Sequence, residues 1–151
     1  MSLHGAYDRD NVFARILRGE LPAAKVYEDA QVLAFLDAFP QARGHTLVVP
    51  KAQARNLLDA DPAALQALIV RVQTVARAVR EALQPDGLTL MQFNGAAGGQ
   101  TVFHLHFHIV PRWEGQAMQS HGGGMADPAE LARLAEQIKA RLAPPHPSSS
   151  G

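Results

Sequence analysis

Cysteine is absent from this chain of 151 residues. That excludes disulfides and any zinc or redox site built on thiolates. An excess of either charge is also missing: Lys plus Arg and Asp plus Glu number 14 each. A chain of zero net charge has no broad electrostatic footprint for nucleic acid or for an anionic membrane, although a local anion site stays open. No apolar run approaches the roughly 20 residues of a membrane span. The first ten residues hold nothing like the apolar stretch of a secretory signal. There is no internal repeat and no boundary that suggests a second domain. The expectation is a single cytoplasmic domain without nucleic-acid or membrane partners, its core supplied by 47% hydrophobic residues.

What the chain does contain can be read in order. Residues 1–10 are polar and mixed, and are expected to form a flexible arm. Val12, Phe13, Ile16 and Leu17 have helical spacing, with Gly19 as a stop, which predicts a short helix over 11–18. Lys25 to Glu28 and Val32 to Leu36 read as two strands around a tight connection. His45 to Pro50 reads as a third, ended by the proline. Asp61-Pro62 is an N-cap followed by proline at the first helical position. Leu65, Leu68, Ile69, Val72, Val75, Ala76, Val79 and Leu83 then mark one helical face, read as core and not as a partner site. Leu88 to Asn94 predicts a fourth strand, and Gly95 to Gln100 a flexible loop. Asp127-Pro128 opens a last helix with Glu130 placed for a capping box. The polar, Pro- and Ser-rich residues 143–151 are expected to be a disordered tail. The fold class is α+β: about five mostly antiparallel strands with one long helix, a short N-terminal helix and a C-terminal helix, helices on one side, over residues 11–142.

Residues 103–111, Phe-His-Leu-His-Phe-His-Ile-Val-Pro, carry the chemistry. A strand sends alternate side chains to opposite faces. His104, His106 and His108 should therefore line one face, with Leu105, Phe107 and Ile109 toward a core. Imidazole is a nucleophile that stays largely neutral near pH 7. It can attack phosphorus to give an adduct that water cleaves, which divides one difficult step into two. Flanking imidazoles can donate to phosphoryl oxygens or protonate a leaving group. The preceding loop suits an anion, since Gly95, Gly98 and Gly99 let backbone N–H groups approach and Gln100 and Thr101 add neutral donors. The same row of imidazoles could instead bind zinc or copper, so a metal-binding module stays open beside phosphorus chemistry. His121 and His146 are expected to be solvated.

His104-Leu-His-Phe-His-Ile-Val110 resembles the signature of the histidine triad (HIT) family, in which three histidines alternate with apolar residues. The resemblance extends over about residues 11–114. It includes Phe13 to Ile16, Gly19-Glu20 and Pro22, Val26 to Asp29, Asp37 and Pro40, Gly44 to Lys51, and Asn94 followed by Gly99 to Val102. It implies a homodimer whose two five-stranded sheets join, and hydrolysis or transfer of nucleoside monophosphates from phosphoramidates, dinucleoside polyphosphates or related esters. By resemblance His106 is the nucleophile, His108 contacts the scissile phosphoryl group, His104 supports orientation and His45 joins the relay. Phe13, Ile16 and Ala38 would line the base pocket, Asp37 would bind the ribose, and Asn94, Gly99, Gln100 and Thr101 would surround ribose and phosphate. The nucleotide is expected to be a purine, adenosine or guanosine, with no cofactor required.

Two departures from the family pattern matter. Some members hold a structural zinc through positions that correspond here to Asn11, Ala14 and Gln53, none a usual zinc ligand, so no structural zinc is expected. Pro111-Arg-Trp113 after the triad resembles the dinucleoside-polyphosphate branch and many bacterial members. Trp113 and residues 116–124 then become candidates for shaping leaving-group specificity. A nucleotide-binding or scaffolding protein with little turnover is the alternative reading.

Overall fold

A computed structural model describes residues 2–118 and 124–142. The expected tail at 143–151, with His146, and His121 lie outside the described residues, and the 116–124 segment is described only in part. The elements are α1 (Val12–Leu17), β1 (Lys25–Glu28), β2 (Val32–Leu36), β3 (Thr46–Pro50), α2 (Pro62–Leu83), β4 (Gly87–Met91), β5 (Phe107–Arg112) and α3 (Pro128–Lys139). The strands form one antiparallel sheet in the order β1-β2-β3-β5-β4. The α+β class, the strand number and the three helices are as expected.

Local chemistry explains most boundaries. Asn11 caps α1 by accepting from the Ala14 N–H at 2.9 Å. Asp61 caps α2 through the N–H groups of Ala63 and Ala64, ahead of a proline that has no N–H to satisfy. Gln84 ends α2 in a left-handed conformation, φ 54°. Asp127 caps α3, while Glu130 pairs with Arg133 at 2.7 Å.

Strands β2 and β3 are buried throughout, because both faces of the sheet are covered. Val32, Ala34, Leu36, Val48, Leu105 and Ile109 pack on one side against α2 and α3. Leu33, Phe35, Leu47 and Val49 pack on the other against Phe13 and Ile16 of α1. The expectation of helices on one side is therefore corrected: a six-residue α1 sits on the opposite face and creates a second small core. The stripe on α2 also needs correction. Ile69 and Val70 are 49% and 55% exposed, and with Leu90 on β4, 50% exposed, they border an apolar groove. Helical spacing identifies an apolar face but not what covers it.

The strand expected over the histidines begins late, at Phe107. Two contacts divert the backbone before it: Leu105 N–H bonds the Ala54 carbonyl at 2.9 Å, and the His104 carbonyl accepts from its own neighbour's ring, Nδ1 of His106, at 2.6 Å. The alternation of faces still holds, since Leu105 and Ile109 enter the main core. The loop before it is not wholly irregular, for Ala96–Gly98 forms a short 3-10 turn. No helix among the described residues is long and apolar enough to cross a membrane.

Candidate functional site

Four imidazoles meet where β3, β5 and the segment before β5 converge. His45 stands just before β3, preceded by Gly44 at φ +90°, where a Cβ would lie 2.2 Å from Leu83 Cδ1. The positive φ strains any residue with a Cβ, so the turn that delivers His45 favours glycine by its backbone conformation. His108 lies in β5 opposite Leu47 of β3.

The hydrogen-bond partners set each ring's tautomer, because backbone groups only donate or only accept. The Gln41 N–H donates to His45 Nδ1 at 3.0 Å. Neutral His45 therefore carries its proton on Nε2, which lies 2.9 Å from His108 Nδ1 and donates to it. That leaves the proton of neutral His108 on Nε2. The His104 carbonyl accepts from His106 Nδ1, so the His106 lone pair is on Nε2, the nitrogen able to attack. The Pro50 carbonyl accepts from His104 Nε2 at 2.7 Å, and His104 Nδ1 is then an acceptor, with the Tyr7 hydroxyl 2.6 Å away. Burial holds the His104 imidazole below its ordinary pKa and so favours the neutral ring, although the bond to the Pro50 carbonyl opposes this shift.

His106 and His108 stand side by side, ring centroids 4.9 Å apart, and Phe13 meets His106 edge-on at 4.8 Å. Both line a cavity of about 650 Å³, together with Phe13, Ile16, Asp37, Ala38 and Thr101. Asp37 caps the turn through the Phe39 N–H at 2.8 Å, and its other oxygen is 3.6 Å from His45 Nε2. Six of the expected site side chains thus share one cavity with His106, which its volume suits to a nucleotide-sized ligand.

The other expected residues lie outside the cavity lining. His45 and His104 are enclosed beneath it. Gln100 is buried and organises the loop: its Oε1 accepts from the Gly95 N–H at 2.8 Å, and its Nε2 donates to the carbonyls of Arg55 and Val102 at 2.7 and 3.0 Å. Asn94 Oδ1 accepts from the Leu57 N–H at 2.9 Å, and Gly99 ends the 3-10 turn. Asp37, His45 and His108 offer ligand atoms within 4.8 Å of one another, so this part of the site could geometrically admit a cation.

Sequence reasoning missed one wall. Met125, Ala126, Pro128 and Leu131 line the same cavity, held there by the Ala126 N–H donating to the Ala38 carbonyl at 2.8 Å. The large exposed Met125 just ahead of a helix cap was the signal available. Tyr7 was missed as well, since nothing local connects it to a residue 97 positions away.

The family description "HIT domain" matches residues 18–115. The chain is 38% identical over 137 residues to the "Protein hit" of Bacillus subtilis, covering 87% of this chain and 94% of that one. It is 37% identical over 118 residues to the adenylylsulfatase HINT3 of Arabidopsis thaliana, covering 74% of this chain and 60% of that longer protein. Among solved structures, a Hit-like protein involved in cell-cycle regulation from Bartonella henselae, crystallised with an unknown ligand, superposes with a TM-score of 0.85 at 51% identity, covering 91% of this chain and all of that one. The chain belongs to the histidine triad family.

Proposed function

We propose that this protein is a nucleotide hydrolase or nucleotidyl transferase that works through a covalent adduct on His106. The observation that carries this reading is the fixed tautomer of His106, whose Nδ1 is held by the His104 carbonyl at 2.6 Å while the ring lines a nucleotide-sized cavity. In the first step His106 Nε2 attacks the α-phosphorus. A nitrogen–phosphorus bond forms, the bond to the leaving group breaks, and the leaving group takes a proton from His108 Nε2 or from solvent. In the second step water attacks the same phosphorus, the nitrogen–phosphorus bond breaks, and nucleoside monophosphate departs with His106 restored.

His108 supplies a donor to the phosphoryl oxygens, and its orientation depends on His45 behind it. Phe13, Ile16 and Ala38 form an apolar slot for a purine base, and Asp37 and Thr101 stand where ribose and phosphate would follow. The name of the Arabidopsis relative brings nucleotidyl sulfates in beside phosphoramidates and dinucleoside polyphosphates as substrate classes. No metal enters this scheme, and the Asn11 side chain, at one of the positions that the resemblance matches to a zinc ligand of some family members, is engaged in capping α1.

The working unit in this reading is a homodimer. β4 is an edge strand of the sheet, and beside it runs the apolar groove bordered by Ile69, Val70 and Leu90. A second copy on this edge would continue the ladder and cover the groove. Light scattering on the purified chain is expected to give twice the chain mass; a monomer at micromolar concentration would remove the dimer from the proposal.

The deciding experiment is a rate panel of adenosine phosphoramidate, diadenosine polyphosphates and adenylyl sulfate with wild type and His106→Ala. Wild type should release AMP from at least one, and the variant should lose about 10³-fold or more. Near-normal turnover by the variant would sink the covalent mechanism. Tight nucleotide binding without turnover of any substrate would make this a binding protein.

A further inference from the structure

Residues 2–7 do not stand away from the domain. They lie across the loop that follows β3. Arg55, itself buried, donates from Nη2 to the Ser2 carbonyl at 3.0 Å and from Nη1 toward the Ala6 carbonyl at 3.5 Å. Asn56 Nδ2 donates to the Leu3 carbonyl at 2.8 Å. Leu3 in turn rests on Gly95 at the start of the glycine-rich loop, where a Cβ would come within 3.1 Å of the Leu3 side chain. The strap ends at Tyr7, whose hydroxyl reaches His104 Nδ1 at 2.6 Å with the two rings edge to face. The same Arg55 guanidinium sits 4.5 Å over the ring of Phe103, the residue before His104. Strap and triad therefore share one support.

We infer that Tyr7 is a positioning residue of this site: its O–H donates to His104 Nδ1, holds that ring in its neutral tautomer, and so keeps the His104 carbonyl in place to orient the His106 nucleophile. The argument rests on donor and acceptor types. His104 Nε2 must carry the proton because the Pro50 carbonyl only accepts. Nδ1 is then a buried lone pair that needs a donor, and the Tyr7 hydroxyl is the donor placed there. A ring pinned at both nitrogens fixes its own backbone, and the carbonyl of that backbone holds His106 Nδ1 at 2.6 Å. The chain of contacts from Tyr7 to the nucleophile passes through a single residue. The inference rests on the reading of His106 as nucleophile.

Tyr7→Phe removes only the hydroxyl and leaves the ring packing in place. Two measurements are made on it: the ¹⁵N shifts of the His104 imidazole by NMR, without substrate, and kcat and KM on a nucleotide that the wild type turns over. The expected result is a His104 Nδ1 shift that moves away from that of a hydrogen-bonded acceptor, a kcat lowered about tenfold and a KM within twofold of wild type. A general loosening of the fold would lower the melting temperature and disturb kcat and KM together, and that pattern would overturn the positioning role. So would an unchanged His104 spectrum with unchanged kcat. Absence of turnover by the wild type on every substrate would defeat the hydrolase reading instead, and the NMR result alone would then decide whether Tyr7 holds the His104 tautomer.

Discussion

Two pairs of histidines meet in this site and differ in what surrounds them. His45 and His104 are 1% and 0% exposed, sealed between β3, the Gln41 turn and the N-terminal strap, with both ring nitrogens bonded to protein. His106 and His108 are 6% and 5% exposed and line the cavity. The sealed pair decides which nitrogen of the cavity pair carries a proton. His45 sets the tautomer of His108 through its side chain, and His104 sets that of His106 through its main chain. In the proposed mechanism, supporting an imidazole and using one for chemistry are thus separate jobs, although all four residues look alike in sequence.

The separation predicts opposite profiles on mutation. After His106→Ala, the next largest loss of activity is expected for His108→Ala, about 10²-fold in kcat, as for removal of one donor to a developing charge. Its folding stability should change little, because the Asp37 carboxylate already lies 3.6 Å from His45 Nε2 and can take the abandoned proton. His104→Ala should do the reverse. It orphans the Pro50 carbonyl and leaves a void, for a loss of about 2–4 kcal/mol in stability. Its main chain persists, so kcat should fall less than in His108→Ala. Paired urea melts and kinetics check this; equal activity losses with equal stability losses would erase the distinction.

His104 should also shape the response to acid. Burial lowers the His104 pKa below its ordinary 6.5 in the folded chain. Below pH 6.5 the unfolded chain therefore binds a proton that the folded chain refuses. The stability due to neutral His104 is complete above that pH and declines as pH falls toward the folded value, by at most about 1.4 kcal/mol per pH unit. His104→Asn should flatten this part of the stability curve. An unchanged slope would mean that another group carries it.

These contrasts bear on what could be read in the sequence. Asp61-Pro62 and Asp127-Pro128 announced their helices because capping is a local matter, decided within three residues. The apolar strands β2 and β3 were legible for the same reason. The start of β5 was not, because a side chain two residues on captured the His104 carbonyl, and strand periodicity carries no record of that competition. Gln100 looked like a ligand donor, yet its amide is engaged by three backbone groups. Its role depends on Arg55 and Val102 folding back on the loop, which spacing alone does not reveal. Tyr7 belongs to the site through a contact across 97 residues, and the Met125 segment through the bond from Ala126 to Ala38, 88 residues apart. The family resemblance carried the triad and most of the cavity but not these two additions, which come from the ends of the chain.

The smallest effect is expected at Met125, and it tests whether the cavity itself is divided. Its segment is tied to Ala38, on the side of the cavity assigned to the base. Much of the side chain is solvent-exposed, so it can contribute only part of the burial of a full methionine, roughly 1 kcal/mol against a bound base. Met125→Ala should then raise KM about two- to fivefold and leave kcat unchanged, because a contact made equally in the ground and transition states affects binding alone. Purine and pyrimidine nucleotides should also become more alike in KM, since the larger base has more surface to lose against this wall. A fall in kcat instead would place Met125 at the chemical end, beside His106 and His108, and would mean that the C-terminal segment helps to order the pair to which the chemistry is assigned.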